Sequence, residues 1–519
     1  MLMTGQDYRA SLRRYQPRVF VNGRQIESVA DEPLLAPGVN GVALTYDFAL
    51  REDCAPLMQA SRPDLAGGQP VNRMIAIPAS TDDLLNKLEA VRLVCQETGC
   101  AQRYLGGDAL AAIRQTTARL DADCGTTYGE RFHAYLEQVY ANDLTLGVAM
   151  TDGKGDRSRR PHQQANPDAY VRIVERGAEG IVISGVKAII TGAPYMHELL
   201  VMPGRTLTAA DADYAVCCAV PVDVENLTLI ARPAGRPGEA AAPFSARYGQ
   251  STAVAIFDRV FVPWERVFLA GEWRHSGDLT HQYATHHRHT CIGARAGFGD
   301  LLIGAGALMT EANGLNLDRT SHLREAMVEL IQIVEGFFAC GVAASVYGIP
   351  DPAGVMMPEP VFANIGKLLL ATQIYDMQRV AHRVSGGLIV TLPGPEEDHN
   401  PATAGRLSEL LAGRSDIPYE KRIEVARFIE DLTASYQAGW YSVISLHGGG
   451  SPEAMKREIW RHYPVGDKVE LVERLLERSV LADETRRLTR QRQPGRCCAT
   501  GCEIPAALPS APATEPGAS

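Results

Sequence analysis

The sequence contains no uninterrupted apolar run of the ~18 residues that a membrane-spanning helix needs, so no membrane span is expected. Its first residues, MLMTGQDYRASLRRYQ, lack the apolar core of a secretory signal, and a reducing cytoplasm is the expected compartment. Positive charge is in deficit. With 51 Lys and Arg against 61 Asp and Glu, the net charge of -10 argues against nucleic acid or an anionic membrane as the main partner. Two nucleotide signatures are also missing: no G-x-G-x-x-G follows a strand-like run, and no G-x-x-x-x-G-K-[ST] occurs. A disulfide framework is absent too. The 11 cysteines are odd in number and scattered, with Cys217 and Cys218 adjacent in an apolar run, so most read as buried thiols.

What is present is bulk and pattern. The chain has 519 residues and 45% hydrophobic content, enough for two or three packed domains. From Thr81 to Asn142 the apolar spacing is helical, beginning with the capped run STDDLLNKLEAVRLVCQETG. From Val148 to Phe268 the texture changes to glycine-bounded, Val- and Ile-rich runs such as GIVISGVKAIITG, which predict strands. Past His281 long helical periods return, in HLREAMVELIQIVEGFFACGVAASVYG and PVFANIGKLLLATQIYDMQRVAHRV. This predicts an α+β chain with helices over 1–145, a β unit over 146–275, a helical bundle over 276–490 and a disordered tail over 491–519. Cys497, Cys498 and Cys502 of that tail are too few to ligate a metal, and no metal site is expected.

Three stretches carry candidate chemistry. In THHRHTCIGARAGFGD, His287 and Cys291 are four apart and share a helix face, while His286 and His289 point elsewhere. The glycines that follow read as sites of close helix packing. In AMTDGKGDRSRRPHQQANPDAY, a strand end meets a loop whose backbone N–H groups, Lys154 and Arg157 suit a phosphate or an electron-rich ring; from spacing alone an ordinary hairpin with solvated charges is the slightly better reading. VSGGLIVTLPGPEED and SLHGGGSPEAMKRE place consecutive glycines between helices, which allows close approach of a ligand or a second subunit.

Taken in order, MTGQDYRASLR, STDDL, AMTDGKGDR, AIITG, AIFDRVFVPWERVFL, SGGLIVTLP and LHGGGSP resemble the flavin enzymes grouped around 4-hydroxyphenylacetate 3-monooxygenase and 4-hydroxybutyryl-CoA dehydratase. The resemblance runs from Met3 to Arg478. It implies an acyl-CoA-dehydrogenase-like fold: a helical N-terminal domain, a central β-barrel and a C-terminal four-helix bundle, assembled as a homotetramer built from two dimers. It also implies FAD without a Rossmann fingerprint, lying between barrel and bundle and partly completed by a second subunit. The flavin contacts that it implies are Met150, Thr151, Lys154 and Gln164, then Thr191 and Gly192, with Ser385, Gly386, Gly387, His447 and Gly448 approaching from the bundle.

The departures matter as much. The dehydratase branch holds a [4Fe–4S] cluster through a Cys-x3-Cys and a His-x6-Cys stretch. Here Cys100 and His287 are kept, but the other two positions are Tyr104 and Ala294, and neither replaces a thiolate on iron. No iron–sulfur cluster is expected. Cys95 and Cys291 lie close enough in sequence to leave a rearranged set open. The hydroxylase branch's arginine, tyrosine and histidine fall at Leu105, Ala109 and Val148, so its phenol-binding apparatus is missing.

The resemblance therefore implies an FAD-dependent oxidoreductase, foremost a two-component monooxygenase. Reduced FAD from a separate flavin reductase would hydroxylate an aromatic or otherwise activated small molecule. The alternatives are a cluster-free dehydratase or isomerase acting on an acyl-CoA or carrier-bound acyl group, and a non-catalytic flavoprotein. His287, as a neutral base, with Tyr104 and Thr191 are the expected catalytic residues.

Overall fold

The computed structural model describes residues 2–62 and 66–476; the predicted tail and its three cysteines lie outside them. Among the described residues, six helices are set before the strand Leu146–Ala149, and the helix Thr81–Thr98 shows why they form where they do. Ser80 caps it by accepting from the Asp83 N–H, and Asp82 and Asp83 sit in its first turn, where negative charge suits the helix dipole. Leu84, Leu88, Val91 and Cys95 form its buried stripe. Gly99 ends it in the left-handed region at φ 66°, a conformation that costs other residues about 1 kcal/mol. That turn delivers Cys100 to Arg103 into the interior and starts the next helix, Tyr104–Cys124.

The β region consists of two open sheets rather than the closed barrel implied by the family resemblance. The six-stranded sheet runs Arg24–Ile26, Arg18–Val21, Leu227–Ala231, Thr252–Pro263, Gly180–Thr191, Arg172–Arg176. The four-stranded sheet runs Val267–Ala270, Val216–Pro221, Glu198–Val201, Leu146–Ala149. Among the described residues, no strand pairing joins the edges of one sheet to each other or to those of the other. The faces instead share a core that includes Ile181, Ile183, Leu199, Val220 and Val260.

Two of the strands come from the N-terminal region, which is therefore not purely helical. RVFVNGRQI is a hairpin in which Val19, Val21 and Ile26 point inward. Asn22 and Gly23 turn it at φ 50° and 78°, the Asn-Gly pairing that a tight hairpin favours.

The C-terminal part is a bundle of Ser276–Ala312, Ser321–Val346 and Pro360–Ser385, with the fourth place divided between Tyr419–Thr433 and Tyr436–His447. The 37-residue helix Ser276–Ala312 is its axis, roughly 55 Å long at 1.5 Å per residue. It packs between Thr81–Thr98 and Tyr104–Cys124 on one side and the other bundle helices on the other, so it is buried nearly all round from Thr285 to Gly299. The glycines after Cys291 do serve packing. A Cβ at Gly293 would lie 2.4 Å from the Leu88 carbonyl, and one at Gly297 2.4 Å from that of Arg92. By length and composition the segments Trp273–Ala312 and Ser321–Val346 are apolar enough to cross a membrane, which the run-length reading of the sequence passed over; here both apolar faces contribute to the bundle core.

Candidate active site

Four helices and one strand end converge on a single cavity of about 410 Å³ empty volume, part of it open to solvent. The axial helix supplies His287, Cys291, Ala294 and Arg295, which at spacings of four, seven and eight fall on one stripe. Cys100, Tyr104 and Leu105 enter from the turn after Gly99, Lys367 and Leu370 from Pro360–Ser385, and Ile444, Ser445 and Gly448 from the end of Tyr436–His447. Thr191, the last residue of strand Gly180–Thr191, closes the side facing the sheets. Thus the sequence-predicted trio of His287, Tyr104 and Thr191 lines one cavity.

The charge arrangement is specific. Cys291 Sγ lies 3.4 Å from His287 Nε2, and His287 Nδ1 lies 3.5 Å from Asp108 Oδ2. Asp108 in turn pairs with Lys87 at 3.0 Å and accepts from the Thr290 hydroxyl at 2.6 Å. Burial resists charging His287, but Cys291 and Asp108 outweigh it and raise the ring to about 9. Burial likewise resists ionising Cys291, yet His287, Lys367 and Arg295 bring the thiol below its ordinary value. Each member of the pair thus favours the charged form of the other, and the two titrate jointly.

The sequence suggested a neutral His287, whereas the surroundings of the ring favour its charged form. A carboxylate behind the ring and a sulfur in front of it both favour the charged form. Tyr283 and Tyr104 hold that ring flat between them, with centroids at 5.4 and 6.3 Å. His286 and His289 face elsewhere, bonding Gln115 at 3.1 Å and Ser345 at 2.7 Å, and burial lowers them to about 3 and 4. Lys367, lowered to about 8 by burial, donates to the Ser445 carbonyl at 2.6 Å.

The loop after Ala149 is tied to the same strand. Ala188 N–H donates to the Thr151 carbonyl at 2.7 Å, and buried Lys187 holds Asp152 at 2.6 Å and the Met150 carbonyl at 3.0 Å. Thr151 is thereby registered three residues, about 10 Å, from Thr191. Lys154 is exposed, with φ 71°, and extends from the loop tip. Gln164 braces the loop: its side chain accepts from Asp156 N–H at 2.9 Å and donates to the carbonyls of Asp156 and Arg159. Gly192, at φ 75°, turns the chain beside the cavity.

Of the bundle glycines, only Gly448 reaches this cavity, and neighbouring His447 is exposed. Ser385, Gly386 and Gly387 lie at the other end of the helix that carries Lys367, 18 residues or about 27 Å away. They belong to a different surface of the subunit.

A loop carrying an exposed lysine, a strand end ten ångströms on and a cavity beyond it fit an extended cofactor such as FAD. A [4Fe–4S] cluster does not fit. Tyr104 and Ala294 stand at two ligand positions, Cys100 Sγ accepts from Arg295 at 3.8 Å, and Cys291 is paired with His287. Among the described residues, no three donors drawn from Cys95, Cys100, His287 and Cys291 bring their ligand atoms together.

Residues 4–269 match the family model described as 4-hydroxyphenylacetate 3-hydroxylase N terminal, and residues 276–477 match its C-terminal counterpart. The chain belongs to the 4-hydroxyphenylacetate 3-hydroxylase family. Within that family it is 36% identical to the 4-hydroxybutyryl-CoA dehydratase/vinylacetyl-CoA-Δ-isomerase of Clostridium aminobutyricum, across 91% of this chain and 98% of the relative. It is 25% identical to the oxygenase component of 4-hydroxyphenylacetate 3-monooxygenase from Thermus thermophilus, across 89% and 95%.

Its fold superposes on the oxygen-tolerant archaeal 4-hydroxybutyryl-CoA dehydratase from N. maritimus with a TM-score of 0.88, at 35% identity over 92% of this chain and 95% of that one. It also superposes on the FAD complex of the 4-hydroxyphenylacetate 3-monooxygenase oxygenase component with a TM-score of 0.82, at 22% identity over 92% and 99%. Both solved relatives have the acyl-CoA-dehydrogenase-like fold. Motif matching placed Tyr104, His287 and Thr191 in the site. It missed Asp108, Lys367 and Arg295, although Asp108 follows Tyr104 by one helical turn and shares its face.

Proposed function

We propose that this protein is an FAD-dependent enzyme of the family that begins its reaction by moving a proton, and that it carries out a redox-neutral elimination or double-bond isomerisation on an acyl thioester. The observation that carries the reading is the Cys291–His287–Asp108 line, set beside a cavity whose lining, among the described residues, holds two further cations and no carboxylate. The Cys291 thiolate is placed to accept a proton from the carbon beside the thioester carbonyl. Lys367 and Arg295 offer positive charge to the oxygen on which the electron pair then rests. His287, as imidazolium, donates its proton to a departing hydroxyl or back to carbon, and Asp108 keeps the ring oriented for both.

FAD would be held by Met150, Thr151 and Lys154, with Thr191 and Gly192 beside its ring and Ser385, Gly386, Gly387 and His447 contributed by another copy of the chain. Bound there, it supplies a reversible acceptor for hydrogen from carbon that a base alone does not activate. Exposed Val328 and Ile331 on Ser321–Val346, and Val469, Val472 and Leu476 near the end of the described chain, support assembly with further copies; that the assembly is a tetramer and that it works in the cytoplasm are part of the proposal.

A second reading, hydroxylation by O2 with reduced FAD from a separate reductase, is favoured by one feature: Tyr104 and Ala294 leave no cluster to act as a Lewis acid. The two readings separate under nitrogen. FAD-loaded protein incubated anaerobically with crotonyl-, vinylacetyl- and 4-hydroxybutyryl-CoA is expected to interconvert at least one of them. Products that form only with O2 and reduced FAD, each heavier by one oxygen atom, would establish the second reading instead.

A further inference from the structure

Away from the cavity, three side chains converge at the junction of the axial helix and the helix Pro452–His462. We propose that His281, Glu458 and His462 form a binding site for a divalent transition-metal ion of the zinc class, which clamps these two helices together. The ligand atoms of the three lie within 4.8 Å of one another, and no other such group occurs among the described residues.

The distances suit the ion. Zinc bound at about 2.0–2.1 Å in tetrahedral geometry sets neighbouring ligand atoms roughly 3.3 Å apart. Here His281 Nδ1 and His462 Nε2 stand 2.9 and 3.3 Å from Glu458 Oε2. Glu458 and His462 are four residues apart on one helix and so share a face. The helix holds that face inward through Met455, which is fully buried.

Glu458 Oε2 is shielded from solvent and has both imidazole nitrogens within ion-pairing distance. With both rings neutral, the three ligand atoms converge on one point that a cation can occupy. The remaining oxygen, Oε1, has Arg461 Nη1 at 3.7 Å, which leaves Oε2 as the coordinating atom. The two imidazole rings lie nearly parallel, 5.1 Å apart, and the side chains are 20–32% exposed, so the site is open to ions from solution. Two nitrogens and one carboxylate select zinc, cobalt, nickel or copper over calcium or magnesium, and three protein ligands leave one position for water.

The consequence reaches the cavity. Pro452–His462 follows directly from Gly448–Gly450, and Arg288 Nε donates to the Gly449 carbonyl at 2.9 Å. His281 lies six residues, about 9 Å, before His287 on the axial helix. An ion there fixes the far end of the segment whose near end, Gly448, lines the cavity. The bound ion would order the glycine loop and take no part in the chemistry.

Cobalt titration of the EDTA-treated full-length protein tests this, with zinc as the competitor. The expected result is one saturating equivalent of Co2+ with visible d–d absorption, displaced by Zn2+. Affinity should fall at least about tenfold in both Glu458→Gln and His462→Gln. Zinc should raise the melting temperature of the native protein and leave those variants unmoved, while far-ultraviolet circular dichroism and FAD binding stay native. Affinity unchanged in both variants would overturn the proposal, as would a thiolate charge-transfer band, which would assign the ion to cysteines such as those of the tail. Absence of saturable binding would overturn it equally. None of these outcomes bears on the acyl-thioester reading.

Discussion

Replacing His287 with glutamine isolates one charge in the cavity while keeping the size of the side chain and a hydrogen-bonding group. The Cys291 sulfur stands 3.4 Å from His287 Nε2, and opposite unit charges at that separation attract by about 5 kcal/mol at an effective dielectric constant of ~20. Lys367 and Arg295 remain in the variant and compensate in part. Loss of only half the attraction, about 2.5 kcal/mol, still raises the thiol by nearly ~2 pH units.

Because the thiolate is the nucleophile, alkylation by iodoacetamide followed by peptide mapping reads its fraction directly. In the native protein Cys291 should be alkylated readily at neutral pH, because its neighbours bring the thiol below its ordinary value. In His287→Gln the rate should be about a hundredfold lower near neutrality and should climb into the alkaline range. Cys95 and Cys100, buried and raised by burial, should stay unlabelled and serve as internal references. Superimposable profiles for the two proteins would refute the thiolate–imidazolium pair.

Lys154→Ala is expected to weaken FAD binding by about 1.5–3 kcal/mol and Arg157→Ala by less, measured by flavin fluorescence; equal affinities would remove the 150–159 loop from the cofactor site. Lys367 is lowered to about 8, so turnover should decline as pH rises through 8 and the cation is lost. In Lys367→Gln that alkaline limb should vanish, and its persistence would assign it to another group. His197, His286 and His289 are held neutral by burial at about 3, 3 and 4. Their contribution is complete above the unfolded value near 6.5 and is lost as pH falls toward those folded values. Urea unfolding near pH 5 should therefore show a loss of about 2 kcal/mol for each of the three, and a flat profile from pH 7 to 5 would contradict their neutral burial.

How much of this was legible in the sequence varied with distance along the chain. The Thr81–Thr98 helix was readable because its Ser80 cap, acidic first turn and Gly99 stop are all local signals. The strands from Arg172 to Pro263 were readable from β-branched runs between glycines. The Asn22–Gly23 hairpin carried an equally local signal and was passed over, because neighbouring helical segments set the expectation for that region. Openness of the sheets was not legible, since closure depends on whether edge strands meet in space.

In the site, Tyr104 and His287 were found as departures from and survivals of a ligand pattern. Lys367 gave no signal, because it reaches the cavity from a helix 80 residues further on than His287. His287 was found, but its charge state was not. That state is favoured by Cys291 and by Asp108, the latter secured by Lys87 from another helix.

The most direct test of the central claim is deuterium exchange at the α-carbon of an acyl-CoA, followed by mass spectrometry in D2O under nitrogen, with native protein and Cys291→Ala at matched FAD content. If Cys291 begins the reaction as the base, the native protein should exchange the α-hydrogens of at least one acyl-CoA, and the variant should be slower by about a hundredfold or more. Equal exchange in the two proteins, or none in the native protein alongside oxygen-dependent turnover, would contradict the account.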